Sequence, residues 1–386
     1  MKDTSVAEPG TDICDLRWQR RKRRPKGGGG DVLRIVDLFC GCGGMTLGVE
    51  EAARRAGRNP EIAWAIDNNE HAISIFGQTR SVASDRLVKG DILEQFSRAP
   101  SGQNTPNEKK LRRLIGKVDI LVAGPPCQGH SDLNNSTRRN DPRNKLYLTA
   151  LRATKVLKPA AVIIENVSTV VHAKNKAVPK SLKLLDELGY STAVIQALCS
   201  DYGLPQMRKR HLLVATKTGE LAPAQYLASH QTPKPASVMQ FIGDLEKMQP
   251  EEADVFNTAS KMTPENRDRV KALFKNKWYD LPNEYRPPCH QHGQHSYKSM
   301  YGRLHPHRPA QTVTTGFGSM GQGRFVHPTK QRVITPHEAA RLQGLPDFLP
   351  LKLIGHRTGL HRLIGNTVPP KLVAMIVAGL IEDGAI

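Results

Sequence analysis

From Arg34 to Lys217 the chain repeats one pattern: a short apolar run, a turn, then an amphipathic stretch. RIVDLF (34–39) reads as a buried strand, MTLGVEEAARRAG (45–57) as an amphipathic helix and EIAWAID (61–67) as the next strand. Further apolar runs follow at VDILVAG (118–124), AAVIIEN (160–166), TAVIQALCS (192–200) and HLLVATK (211–217), with helices predicted near 145–157 and 179–188. Near-continuous apolar strands separated by helices are what a parallel sheet needs, because each crossover lays a helix over one face. The expected fold class is therefore α/β, a doubly wound, mostly parallel, Rossmann-like sheet over 31–217. Its ligands should sit at the carboxyl ends of the strands.

The rest of the chain divides around that domain. Residues 1–30 lack hydrophobic periodicity, carry RRKRRPK (20–26) and end in four glycines, which predicts a flexible basic arm suited to loose phosphate contacts. Between 218 and 305 the alternation fails, and Pro, His, Gly, Lys and aromatic residues mark a smaller, irregular domain. Over 306–386 order returns. Thr335 and Glu338 in TPHEAARLQG have the spacing of a capping box, and PPKLVAMIVAGLIE (369–382) reads as an apolar helix buried against the sheet.

Composition narrows the partners. No apolar run approaches the roughly 20 residues of a bilayer span, and the N-terminus is charged where a signal peptide is apolar, so membrane and secretory readings fall away. Six cysteines without a CxxC pair suggest neither a disulfide framework nor a zinc ribbon, and a reduced cytoplasm fits them. The net charge of +20 asks for a polyanion, and nucleic acid becomes the reading once chemistry supports it.

The chemistry lies at the predicted strand ends. Asp37, Leu38 and Phe39 lead into CGCGG, so Gly41, Gly43 and Gly44 occupy the first strand-to-helix turn, where a nucleoside-like cofactor can approach backbone. Asp67 after the second strand could accept from ribose hydroxyls, and Asp91 in GDI from an adenine amino group; either acid alone would serve equally well as a helix cap. AGPPCQGHS puts Cys127 directly after a buried strand and behind two stiffening prolines. That suits a positioned nucleophile better than a core cysteine, provided nearby cations such as Arg138, Arg139, Arg143 and Lys145 favour the thiolate. Glu165 ends the next strand at the same edge. QMRKR offers Gln206, Arg208 and Arg210 on one side if extended, so that two guanidinium groups could hold a phosphate or a carbonyl oxygen.

Six motifs thus stand in order, DLFCGCGG, GPPCQGHS, ENV, QMRKR, TPHEAARLQGLPD and GNTVPP, and in that order the chain resembles the bacterial-type DNA (cytosine-5)-methyltransferases from about residue 34 to 380. The resemblance implies S-adenosylmethionine as cofactor, with Phe39 near adenine, the glycine turn at the methionine moiety, Asp67 on the ribose and Asp91 with Ile92 at adenine. Asn366 and Thr367 complete that pocket, and Asp37, Cys42, Asn68, Pro126 and Leu146 belong to it.

The resemblance also implies that Cys127 attacks carbon 6 of a cytosine turned out of the duplex while Glu165 serves ring nitrogen 3. Carbon 5 then takes the methyl group, and loss of its proton and of the thiol restores the ring. Arg210 would hold the cytosine carbonyl oxygen with Arg208 in support, and Gln128, Ser131, Asn166 and Gln206 would contact the substrate. The loop 131–145 is the expected clamp. His130 stands where the family usually has Phe. The irregular region falls where the family carries its target recognition domain, with Arg286, Gln291, Gln294, Lys298 and Arg303 as polar readers of base edges. CHQHGQH (289–295) matches no metal-site spacing, and no metal is expected.

The implied function is methylation of a specific duplex DNA sequence, in a restriction-modification system or as an orphan methylase. A transfer RNA substrate, or a catalytically idle DNA-binding relative, are the alternatives. Double-stranded DNA is the expected partner. A cognate restriction endonuclease encoded nearby would share the site without a stable complex. The protein is expected to be a monomer in the bacterial cytoplasm, associated with the nucleoid through DNA.

Overall fold

The computed structural model describes residues 13–20, 22–25, 29–126, 146–172, 176–218, 223–291 and 299–386. By contact the chain falls into two compact units. The first takes Met1–Leu198, Lys209–Gln231 and Val368–Ile386, the second Cys199–Arg208 and Thr232–Thr367.

The first unit is built on β1 (Val32–Leu38), β2 (Asn59–Asp67), β3 (Leu87–Lys89), β4 (Ile120–Ala123), β5 (Ala161–Val167), β6 (Ser191–Leu198) and β8 (Lys209–Thr216); β7 (Gln206–Met207) lies in the second unit. The sheet order is β3-β2-β1-β4-β5-β8-β6. Neighbours from β3 to β5 are parallel, while β8 runs antiparallel to both β5 and β6. The reversal follows from chain length, since β6 and β8 are joined by the short Cys199–Arg208 connection and a parallel return needs a crossover of about a dozen residues or more. The mostly parallel α/β fold is as expected. The three-residue β3 went unpredicted because it is too short to show a period.

Helices α1 (Leu16–Gln19), α2 (Gly44–Arg55), α3 (Glu70–Thr79), α4 (Ile92–Gln95), α5 (Pro106–Ile115), α6 (Leu146–Leu157), α7 (Ala177–Glu187) and α8 (Pro223–Ser229) belong to this unit. α5 starts at a complete capping box, Thr105 with Glu108, and Glu108 also receives the buried Arg152 guanidinium of α6 at 2.7 Å. Its one acid is thereby turned inward.

Residues 13–20 and 22–25 are not the flexible arm that the charge run suggests. Asp15 caps α1, the Trp18 side chain is 1% exposed, its indole N–H donates to Glu51 of α2 at 2.9 Å, and Arg24 reaches Glu50 at 2.7 Å. A single buried tryptophan and two carboxylates on the facing helix dock a segment that has no periodicity of its own.

The second unit contains α9 (Val238–Ile242), α10 (Pro264–Lys275), α11 (Pro288–Gln291), α12 (Pro336–Leu342) and α13 (Arg357–Asn366), with a two-strand pairing of β7 and β9 (Ala310–Gln311). Val270, Leu273, Leu281, Met320, Val326 and Val333 form its apolar centre. The predicted capping box opens α12: Thr335 N–H donates to Glu338 at 2.8 Å and Glu338 N–H to the Thr335 hydroxyl at 3.1 Å.

The chain re-enters the first unit as α14 (Pro370–Glu382). The stretch Arg357–Glu382 is long and apolar enough to pass for a membrane span, contrary to the expectation from shorter runs. It is nevertheless two helices parted at Thr367–Pro369, and 83% of its most apolar window is buried. α14 packs on α2 and α8. The approach to α2 is close enough to require glycine: a Cβ on Gly48 would lie 2.4 Å from the Pro370 carbonyl oxygen and 2.8 Å from the Ala374 nitrogen. Backbone cannot yield as a flexible side chain does, so Gly48→Ala should cost about 1–3 kcal/mol in urea unfolding. A loss below about half a kilocalorie would mean that the helices part freely.

Candidate active site

At the carboxyl edge of β1 the backbone turns through three left-handed residues, Phe39 (φ 61°), Gly41 (φ 54°) and Gly43 (φ 86°), and Gly43 N–H closes the turn on the Cys40 carbonyl at 2.8 Å. Gly43 has a second constraint. Its Cβ would sit 2.6 Å from the guanidinium of Arg80, a buried side chain bonded to Glu50 at 2.8 Å and lying 4.3 Å from the Phe76 ring centroid. This Arg80–Glu50 support under the turn carries no motif and was missed from sequence. Asp67 accepts Gly41 N–H at 2.9 Å and Asn69 N–H at 2.8 Å, so it ties the β2 end to the turn. The turn leaves α2 without a side-chain cap.

Asp37 lies beneath the turn, 1% exposed and hydrogen-bonded by the Thr46 hydroxyl. Burial pushes its carboxyl up from the ordinary value near 3.8 to about 7, against the opposing Thr46 hydrogen bond. A folded-state value above the unfolded one means that the folded protein binds the proton more tightly, so this group's contribution to stability falls as pH rises from about 4 to about 7. Asp37→Asn should therefore gain on the parent protein between about pH 5 and about pH 8, by on the order of 2 kcal/mol in urea unfolding. A constant gap across that range would disprove the burial argument.

The remaining predicted cofactor residues divide by exposure. Ile92 is buried in the sheet's main apolar cluster, and Phe39 and Leu146 are half-buried against it, giving that edge an apolar wall. Asp91 is exposed and caps α4 through Leu93 N–H at 2.9 Å, and Asn68 is exposed. Cys42 and Gly44 are buried, and Pro126 is half-buried. Asn366 and Thr367 close α13 in the second unit, Asn366 exposed and the Thr367 hydroxyl donating to the Leu363 carbonyl at 2.9 Å. A half-open aromatic ring, helix amides without a side-chain cap and a carboxylate at the neighbouring strand end fit a nucleoside that bears an amino-acid group.

The turn after β4 is described as far as Pro126; Cys127, Gln128, His130, Ser131 and the basic residues 138–145 lie outside the described residues. Asn166 at the end of β5 holds this turn, its side-chain amide donating to the Pro125 carbonyl at 3.4 Å while its Oδ1 accepts Val167 N–H at 2.9 Å. Beside it Glu165 and Arg210 are each 7% exposed, with Arg210 Nε 2.5 Å from Glu165 Oε1. Antiparallel register places Arg210 opposite Val167 and Leu212 opposite Glu165, so the ion pair joins diagonal neighbours on β5 and β8.

Two further buried groups stand close by. The Tyr147 hydroxyl is 3.5 Å from His211 Nε2; burial, and after it the Glu165 charge, raise the phenol, while burial pushes His211 down to about 4 and keeps it neutral. Their only sequence signal was position, on a helix and a strand already predicted.

QMRKR does not act as one extended face. Gln206 bonds Gln343 Oε1 at 2.7 Å and the Leu342 carbonyl at 2.9 Å, and Arg208 donates to the Val313 and Gly365 carbonyls at 3.0 and 3.3 Å, all in the second unit. Arg210 alone joins Glu165. The physical reason is that the chain changes units between Arg208 and Lys209, which breaks the alternation the expectation assumed. Among the expected base readers, Gln291 bonds the Arg286 carbonyl at 2.6 Å, Arg286 the Leu281 carbonyl at 3.1 Å, and Arg303 stacks on Phe274 and Tyr279. Gln294 and Lys298, like His292 and His295 of CHQHGQH, lie outside the described residues.

Known proteins match this arrangement along most of the chain. It is 39% identical over 368 residues to the type II methyltransferase M1.BsuMI of Bacillus subtilis, covering 94% of this chain and 83% of that one. It is 29% identical to the type II methylase M.HgiDII of Herpetosiphon aurantiacus, covering 90% and 94%. The fold is shared with the S. pombe Dnmt2 methyltransferase at a TM-score of 0.61 and 19% identity, covering 91% of this chain and 99% of that one. The family model for C-5 cytosine-specific DNA methylases spans residues 33–382, and the chain belongs to that family.

Proposed function

We propose that this enzyme methylates carbon 5 of a cytosine swung out of duplex DNA, at one short sequence, through a covalent Cys127 adduct. The observation that carries the reading is the buried Glu165–Arg210 pair beside the Asn166-held segment that leads, through Pro125 and Pro126, to Cys127 in the sequence. Cys127, as thiolate, adds to carbon 6. Glu165 hydrogen-bonds or protonates ring nitrogen 3, which lets the ring take up the electron pair as an enamine, and Arg210 holds the carbonyl oxygen. S-adenosylmethionine, the methyl donor of the family, supplies an electrophilic methyl group when bound. Loss of the carbon 5 proton then expels the thiolate and restores the aromatic ring. The apolar wall of Phe39, Ile92 and Leu146, the glycine turn and Asp67 would hold the donor. Gln206 and Arg208 act by positioning backbone of the second unit.

The second unit would read the sequence, and the role would be protection of host DNA beside a restriction endonuclease, in the cytoplasm, as a monomer. Incubation with methyl-tritiated S-adenosylmethionine and either duplex DNA or transfer RNA tests the reading. Label should enter DNA in alkali-stable 5-methylcytosine. Label on RNA alone, or on neither, would overturn it.

A further inference from the structure

The opposite edge of the same sheet carries a second charged surface. Gly116–Val118 lead into β4 and Lys158–Ala160 into β5, while Lys217 and Thr218 leave the antiparallel β8, so all three segments meet at the amino-terminal edge of the parallel strands. With α5 they line a cleft of about 790 Å³. Lys109, Arg112, Arg113, Lys158 and Lys217 present exposed side chains to it, and none of these five pairs with a carboxylate among the described residues.

The absence of acids from the lining has structural causes. Glu108, the acid of α5, is turned inward to Arg152 and to its own capping box, and Asp119, 5% exposed, is held by Lys117 at 2.9 Å. Residues 109, 112 and 113 fall on one helix face by their i, i+3, i+4 spacing. Lys217 lies 5.3 Å from the Tyr190 ring centroid and donates to the Lys158 carbonyl at 3.3 Å. There its ammonium is lowered by burial first and then by the charges of Lys158 and Arg112. Cations set together against their own repulsion favour an anion. Five cationic heads along one open wall match a phosphodiester track better than a site for a compact ligand.

We propose that this cleft binds the phosphate backbone of a second duplex DNA segment, at the edge of the sheet opposite the glycine turn and Glu165. The choice of DNA among polyanions rests on the reading given under Proposed function; the existence of an anion site does not. One molecule would then hold two duplexes.

The test uses the full chain and a triple variant, Lys109→Gln, Arg113→Gln and Lys217→Gln, none of which is placed in the catalytic or cofactor site. Protein is loaded on an immobilised duplex that accepts label, and retention of a second, fluorescent duplex is measured against salt. The parent protein should retain the second duplex. The variant should lose about tenfold or more of that retention and flatten the log affinity against log salt slope by about 2–3, with methyl transfer to a short duplex unchanged. Equal retention by the variant would overturn the proposal. So would a parallel loss of methyl transfer, which would merge the cleft with the substrate track, or tight binding of inorganic tripolyphosphate that the variant loses while it keeps the second duplex. If neither protein labels any duplex, the substrate reading fails by itself, and retention on an unlabelled duplex still decides the cleft.

Discussion

Glu165→Gln should lower methyl transfer by roughly two to four orders of magnitude and at the same time destabilise the fold by about 3 kcal/mol. The two effects have separate causes. An amide cannot supply a proton to ring nitrogen 3, so the rate falls. It also cannot balance the Arg210 guanidinium, which is 7% exposed and 2.5 Å from the carboxylate, so a buried charge is left with a neutral neighbour. The companion Arg210→Met separates them. In the double variant both charges are gone and an apolar side chain fills the space, so urea unfolding should return to within about 1 kcal/mol of the parent protein, because removing a whole buried pair is far cheaper than removing half of it. The rate should stay low. Retention of more than a tenth of parent turnover by Glu165→Gln would remove Glu165 from the chemistry. A double variant no more stable than the single would mean that the pair is not a coupled unit.

Strands β1, β2, β4, β5 and β8 were legible because each carries a run of buried β-formers bounded by turn residues, and β6 because its β-formers stand out although most of that edge strand is exposed or half-buried; the ends of β1 and β5 placed the glycine turn and Glu165 at one edge. The direction of β8 was not read, since apolar content is the same for parallel and antiparallel strands and only the short return from β6 decides it. Chemistry at strand ends was easier to see than chemistry that depends on register. Glu165 terminates a predicted strand and could be placed, whereas the partner of Arg208 could not, because Val313 and Gly365 are more than a hundred residues away and supply only backbone carbonyls, which carry no side-chain signal. Likewise Arg80 and Glu50 carry no spacing rule, yet they fill the space that makes Gly43 obligatory.

The N-terminal segment shows the same limit and leads to a large effect far from the chemistry. Trp18→Ala should cost about 3–5 kcal/mol, the range for deleting a buried large aromatic. Its side chain is 1% exposed, and its loss would also leave the Glu51 carboxylate, now its partner at 2.9 Å, without that donor. The consequence should reach the cofactor turn. Arg24, a few residues after Trp18, holds Glu50 at 2.7 Å, and Glu50 holds Arg80, whose guanidinium lies against Gly43 and donates to its carbonyl at 3.4 Å. Undocking the segment removes one cation from Glu50 and loosens the floor of the turn, so affinity for S-adenosylmethionine should fall together with stability. Trp18→Phe keeps most of the buried volume and loses only the indole N–H, and should cost about 1–2 kcal/mol. A freely moving basic arm would behave differently: both variants would unfold with the parent midpoint and bind the cofactor equally. Urea unfolding with titration calorimetry on the two variants distinguishes the cases, and a Trp18→Ala loss below about 1 kcal/mol would return these residues to the role of a tail.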